Sequence, residues 1–282
     1  SVRRKQLMSV SSSTASSCPV CGASSTREDA ELGGYRLYLC PSCTVRFAPD
    51  AFEERVDYDR VYRSAEYEGD QVRALESFDG TQLAEHPTYR AFFDNVPHPA
   101  GARLLDVGCG VGRFCQAAYA LGWDVTGTDV SALAIATGRK FARFPMRVET
   151  VEELIDQGDR FEVVTAFEVL EHLSAPVEFL SRVRQLLRPG GHAFCTVPNW
   201  HSAVVRTTSR PDWIPPIHLL FFTGAALHRT AELSGLDSVT TGVIWSDPMP
   251  SRLGSRARWV ARRILRRPRE PLGLWVRARR AA

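Results

Sequence analysis

From residue 103 onward, short apolar runs alternate with amphipathic stretches of helix length. Apolar runs of strand length fall at 103–108 (RLLDVG), 123–130 (WDVTGTDV), 146–149 (MRVE), 161–167 (FEVVTAF), 192–199 (HAFCTVPN), 236–245 (LDSVTTGVIW) and 272–278 (LGLWVRA). Between them, residues 112–121, 131–142, 175–187 and 223–235 carry apolar positions at helical spacing. Ser131 and Thr223 stand where helix caps belong, and Gly235 stands at a stop. Strands separated by helix-length segments predict an α/β fold with a doubly wound, largely parallel sheet of seven strands.

Upstream the pattern changes. Residues 50–99 are rich in charge and aromatics, including Tyr58, Tyr62, Tyr67, Phe78, Tyr89, Phe92 and Phe93, and read as helices broken near Gly69 and Gly80. Residues 18–47 form a compact cysteine-bearing unit, and residues 1–17 are basic, then Ser-rich, with the composition of a disordered segment. The sequence therefore divides into 1–17, the unit 18–47, a helical linker or lid at 48–99, and an α/β domain at 100–282.

Composition narrows the class. With 282 residues, 44% hydrophobic and 24% charged, the chain excludes collagen, coiled coil and wholesale disorder. It has no apolar run long enough to cross a bilayer and no secretory pattern at its start, so the expected compartment is cytoplasmic. The net charge of +3 conceals an asymmetry, because residues 251–282 hold 11 Lys+Arg and one Asp+Glu. Within them, SRLGSRARWVARRILRR (251–267) places Leu253, Ala257, Val260 and Ile264 on one helical stripe. The first expectation is a helix packing that stripe on the body. Peripheral contact with an anionic membrane, or with nucleic-acid phosphates, is the alternative.

Cysteine usage points to a metal. Four of the seven cysteines form C-x2-C-x18-C-x2-C: Cys18, Cys21, Cys40 and Cys43. Four thiolates in two such pairs suit tetrahedral structural zinc, and an odd total argues against a disulfide framework. Some thirty residues cannot bury an adequate core alone, so zinc would staple the unit.

The segment LLDVGCGVGRF places Asp106, Gly108, Gly110 and Gly112 at the end of the first strand of the α/β region. Glycines there let the backbone turn sharply and approach a ligand. Asp129 ends the next strand, where a carboxylate can grip two ribose hydroxyls. The dinucleotide fingerprint would need a third glycine where Arg113 stands. An acid at Asp106 suits a ligand bearing an ammonium group and repels a pyrophosphate.

With these features the chain resembles class I S-adenosylmethionine-dependent methyltransferases, and among them is similar to the ubiquinone-biosynthesis O-methyltransferases. The carrying residues are LLDVGCGVG (104–112), VTGTD (125–129), TVEEL (150–154), FEVVTAFEVLEHL (161–173) and LRPGGHAFCTVPN (187–199). The resemblance implies a Rossmann-like sheet with an antiparallel last strand and S-adenosyl-L-methionine as cofactor. It implies that Gly108 and Gly110, with Cys109 and Gly112 beside them, line the methionine portion. Asp129 with Val130 would take the ribose side, Val151 and Glu152 would lie near the adenine, and Phe167 would cap the pocket.

A hydroxyl acceptor must lose its proton to a base or a metal. EVLEH supplies Glu168, Glu171 and His172 just past the 161–167 strand, at spacings that predict one helical face, and His218 is a fourth candidate. Together they suit Mg²⁺ or another divalent ion. In a metal-free site the glutamate caps backbone amides and His172 or His218 is the base. Three functions stay in view. The first is methylation of a small-molecule hydroxyl in quinone, sugar or secondary-metabolite biosynthesis. The second is methylation of nucleic acid or protein, and the third is a catalytically silent zinc-ribbon binding protein.

Overall fold

The computed structural model describes residues 17–63, 65–98, 101–245 and 270–282. The basic stretch 251–267 and nearly all of the Ser-rich start lie outside the described residues.

The cysteine unit opens with strands β1 (Arg27–Leu32), β2 (Tyr35–Leu39) and β3 (Arg46–Phe47). Four helices follow: α1 (Tyr58–Tyr62), α2 (Ala65–Ser77), α3 (Gly80–Leu83) and α4 (Pro87–Asn95). The α/β region then runs β4 (Arg103–Val107), α5 (Arg113–Ala120), β5 (Asp124–Asp129), α6 (Ala132–Gly138), β6 (Met146–Val148) and α7 (Val151–Asp156). It continues through β7 (Phe161–Phe167), α8 (Pro176–Leu186), β8 (Leu187–Pro198), α9 (Ala203–Arg206), β9 (Leu220–Phe221), α10 (Gly224–Leu233), β10 (Asp237–Ile244) and β11 (Gly273–Arg279).

Seven strands form one sheet in the order β10-β11-β8-β7-β4-β5-β6. β4, β5, β6, β7 and β8 pair in parallel, while β11 runs antiparallel to both β8 and β10. This is the mixed Rossmann-like sheet that the resemblance implies, and all seven apolar runs are strands of it. The central strands read as unbroken apolar runs because helices cover both faces. Leu104, Leu105, Val163, Val164 and Phe194 are all buried.

Two boundaries differ from the pattern. The helix expected over 131–142 ends as α6 at Gly138. There the chain tightens into i→i−3 bonds (Phe141 N to Gly138 O, 2.9 Å), and the Arg139 guanidinium donates to the Met146 carbonyl at 3.0 Å and 2.6 Å. β8 begins at Leu187 rather than 192, with an irregular register between Phe161 and Val163 of β7. Gly191 makes that possible, since a Cβ there would stand 2.9 Å from the carbonyls of Arg188 and Glu162.

The cysteine unit is joined to the body. Its strands belong to a second sheet, β1-β2-β3-β9, whose last member comes from residues 220–221. Leu37, Val45, Phe47 and Ala48 share one buried cluster with Phe222, Ala226 and Leu227. The aromatics of 50–99 divide their work: Phe92 of α4 is buried among Phe114, Trp123 and Phe194, whereas Tyr58 and Tyr62 of α1 face the cavity described next.

Candidate active site and cysteine centre

A cavity of about 1010 Å³ opens where β4, β5 and β7 end. Its floor is the loop after β4. Gly108, Gly110 and Gly112 all have positive φ (70°, 55° and 82°), and the amides of Gly108 and Cys109 both donate to the Thr128 carbonyl, at 2.8 and 3.0 Å. A Cβ at Gly108 would stand 2.6 Å from Cγ2 of Val169, so this turn requires glycine on two counts. Gly108, Cys109 and Gly110 line the cavity. Gly112 instead caps α5, its α-carbon turned toward Met146 and Phe144.

Asp129 closes β5 and is buried. Oδ2 accepts from the Gly110 amide at 2.9 Å and from the Tyr62 hydroxyl at 3.1 Å, while Oδ1 accepts from the Ser131 amide at 2.8 Å. Burial pushes its pKa up, and these donors pull it back. Val130, 61% exposed, presents a bare apolar surface beside it. Val151 and Glu152 continue that wall, with Glu152 paired to Arg182, and Phe167 closes the far side against Phe114 (ring centroids 4.3 Å).

Asp106 lines the cavity but is held inward by Thr165 Oγ1 (2.7 Å) and Cys115 Sγ (3.5 Å). Burial pushes its pKa up to about 7, a strain that a cation in the cavity would relieve.

The EVLEH segment departs from the helical face expected of it. Glu168 has φ 54°, its amide donates to the Thr196 carbonyl, and its Oε1 accepts from Thr196 Oγ1 at 2.9 Å. Only residues 170–172 form a short 3₁₀ turn. Glu171, His172 and His218 come together, each offering a ligand atom within 4.8 Å of the others, and Glu168 stands outside that group. Neither oxygen of Glu171 has a hydrogen bond of good geometry among the described residues, although the side chain is 1% exposed and its carboxyl lies against that of Glu168. Burial, and then the Glu168 charge, hold its pKa well above the carboxylate range. His172 Nδ1 lies 2.9 Å from the Ile217 carbonyl, which can only accept, so Nδ1 carries the proton, and the backbone of Glu168 also faces the ring. Burial lowers the pKa of both imidazoles.

Residues outside the predicted set complete the wall: Gln71, His86, Arg113, Arg210, Asp212, Trp213, Ile244 and Trp245. Arg210 pairs with Asp212 at 2.7 Å and stacks over Trp213. Gln71 belongs to α2 and Arg113 opens α5, while the others come from loops, short turns or a strand end without hydrophobic periodicity.

At the other centre, Cys18 Sγ and Cys43 Sγ lie 3.5 Å apart, as do Cys21 Sγ and Cys40 Sγ, and all four sulfurs fall within 4.8 Å of one another. A tetrahedral zinc with bonds of about 2.3 Å would set its sulfurs ~3.8 Å apart. The four thiols fit that ion. The hydrogen bond from Cys43 holds the Cys18 thiol well below its usual pKa. No residue of this unit lines the cavity.

A Rossmann-like sheet whose cavity floor is a glycine loop, facing an acid at the next strand end, is the architecture of nucleotide-binding α/β folds. Residues 81–241 match the family model described as "Methyltransferase domain", more than half of the chain, and the chain belongs to that family. The ubiquinone biosynthesis O-methyltransferase of Roseobacter denitrificans is 34% identical over 157 residues, 51% of this chain and 63% of that protein. That of a Chelativorans species is 35% identical, over 46% of this chain and 55% of its own length. The chain thus spans less than two thirds of these relatives. An S-adenosylmethionine dependent methyltransferase from Mesorhizobium loti shares the fold, with 22% identity, a TM-score of 0.51, and coverage of 70% of this chain and all of that one. Among the described residues no helix is long and apolar enough to cross a membrane.

Proposed function

We propose that this chain transfers a methyl group from S-adenosyl-L-methionine to a hydroxyl of a small cyclic acceptor, and that its four-cysteine unit holds zinc. The observation that carries the first part is the bonding of Asp129 to the Gly110 and Ser131 amides at the mouth of one cavity that also admits His172 and His218. Asp129 would grip the ribose diol, Val130 and Val151 would flank the adenine, and the Gly108–Gly110 backbone would accommodate the methionine portion. Asp106 would answer its ammonium. The cofactor supplies a methyl on a sulfonium, already activated for displacement.

The protein's remaining work is orientation and proton removal. His172 is held neutral by burial, its Nδ1–H fixed on Ile217, so Nε2 can take the hydroxyl proton as the oxygen attacks. The imidazolium so formed faces Glu171 Oε1 at 4.0 Å. Tyr58, Trp213 and Trp245 give the acceptor side flat apolar walls, which suit a phenolic, quinol or sugar ring better than a polymer. The family of the relatives named above supports the phenolic and quinol end of that range.

The close approach of Glu171, His172 and His218 favours a second reading of proton removal. Glu171, His172 and His218 would hold a divalent cation such as Mg²⁺, which would acidify the hydroxyl.

One assay separates the two. With catechol, simple phenols and reducing sugars as acceptors, His172→Gln should lower kcat by about 10²–10⁴-fold and keep cofactor affinity within ~3-fold. Because burial lowers the His172 pKa, the imidazole is unprotonated at neutral pH. The native rate should therefore hold on acidification and fall only below the ordinary imidazole pKa of about 6.5. An unchanged kcat in the variant would remove His172. Full native activity after chelation, with cysteine-bound zinc still at one per chain, would remove the cation.

A further inference from the structure

The cysteine unit contributes nothing to the cavity wall, yet it grips the segment that carries the acceptor-side residues at three separate points. At one end, the β1–β2 turn packs on Ile214, where a Cβ on Gly33 would stand 2.7 Å from Ile214 Cδ1. Ile214 in turn accepts the His218 amide through its carbonyl at 3.1 Å. In the middle, β3 pairs antiparallel with β9 (Arg46 with Phe221, Phe47 with Leu220), and the Ala48 amide donates to the Leu219 carbonyl at 3.0 Å. At the far end, the Thr44 and Thr223 hydroxyls meet at 2.5 Å.

These contacts continue into the site. The Leu219 amide donates to the Glu171 carbonyl at 2.8 Å, and His172 Nδ1 donates to the Ile217 carbonyl at 2.9 Å. Between the cysteines and the two histidines, hydrogen bonds alternate with short stretches of the 214–223 backbone. The first link is the turn closed by the Thr44 amide on the Cys40 carbonyl at 2.8 Å, with Thr44 at φ 66°. A metal on Cys40 and Cys43 would hold that turn, because two ligands three residues apart fix the backbone between them. The cofactor half of the cavity is built from the ends of β4 and β5 in the other sheet and from the start of α7, and it meets the cysteine unit through the shared apolar cluster rather than through these bonds.

We propose that the metal-loaded cysteine unit is a positioning device for the acceptor half of the active site. It fixes residues 214–223, and through them His218 and the proton-bearing nitrogen of His172, while leaving the cofactor half independent. Thr44 is the positioning residue at the junction. This rests on the proposed assignment of His172 and His218 to the acceptor side, so the test reads the coupling itself rather than turnover.

The experiment is hydrogen exchange on the full chain in three states: native, zinc-stripped with a strong chelator, and Thr44→Val with zinc content verified. Thr44→Ser serves as the conservative control. Amides of 217–222 should exchange at least about tenfold faster in the stripped protein and several-fold faster in the Val variant, with the Ser variant native-like. Amides of 104–112 should keep their native rates, and S-adenosylhomocysteine affinity should change less than about threefold. The His172 Nδ1–H resonance should broaden or vanish in the same two states. Unchanged exchange at 217–222 in both altered states overturns the proposal, as does equal acceleration at 104–112, which would mean general loosening. If the stripped chain unfolds outright, Thr44→Val decides alone. Failure of the native protein to bind S-adenosylhomocysteine would instead strike the cofactor assignment, and the exchange result would still stand.

Discussion

Asp129→Ala should weaken S-adenosylhomocysteine binding by two to three orders of magnitude in titration calorimetry. The carboxylate does two jobs that alanine cannot. It would accept the ribose hydroxyls, and it already accepts the Gly110 and Ser131 amides that shape the loop and the start of α6. Truncating a buried, hydrogen-bonded charge costs roughly 2–5 kcal/mol, and each 1.4 kcal/mol is about tenfold in affinity. Asp129→Asn keeps one acceptor oxygen and should lose about tenfold less. Tyr62 sharpens the comparison: its hydroxyl rests on Oδ2 at 3.1 Å, so it must yield to the ribose or share the oxygen with it. An Ala variant that binds within a few-fold of the native protein would mean that the ribose is held elsewhere.

The second large effect concerns the cysteines. Cys43→Ala should abolish stoichiometric zinc and lower the melting temperature by about 8–16 °C, from a loss of at least ~4 kcal/mol. The magnitude follows from where the sulfurs sit. Cys18, Cys40 and Cys43 are nearly fully buried, and their cluster runs without a break into Phe47, Leu220 and Phe222. Releasing the ion would leave a thiolate without its metal inside that core. Elemental analysis with thermal unfolding checks this. A native chain carrying no zinc, and melting at the same temperature as Cys43→Ala, would contradict the metal assignment.

The sheet was legible in the sequence because its strands are apolar on both faces and its turns carry glycine. Residues 103–107, 124–129 and 161–167 therefore read as strands without knowledge of their partners. The cofactor-facing residues were legible for a related reason. A loop that bends through Gly108 and Gly110 onto Asp129 is built from local chain, so its signal is contiguous. The acceptor side is different. Trp213 and Trp245 reach one wall from segments about thirty residues apart, and nothing in a linear pattern joins them. The helical spacing of Glu168, Glu171 and His172 misled for a specific reason. Glu168 adopts a left-handed backbone conformation with its amide on Thr196, and that ends any helix register before it starts. Likewise, nothing in CPSCTVRF announced that Arg46 and Phe47 would pair with residues more than 170 positions away. Strand pairing across such a distance is set by the tertiary fold, and a two-residue strand leaves no periodic trace.

The measurement that bears most directly on the whole account is calorimetric titration of the native chain with S-adenosylhomocysteine, followed by NAD⁺ under the same conditions. The glycine loop and Asp129 should give one saturable site per chain for the first ligand and no heat for the second. Silence with S-adenosylhomocysteine, or a saturable signal with NAD⁺, would show that the cavity was built for a different nucleoside.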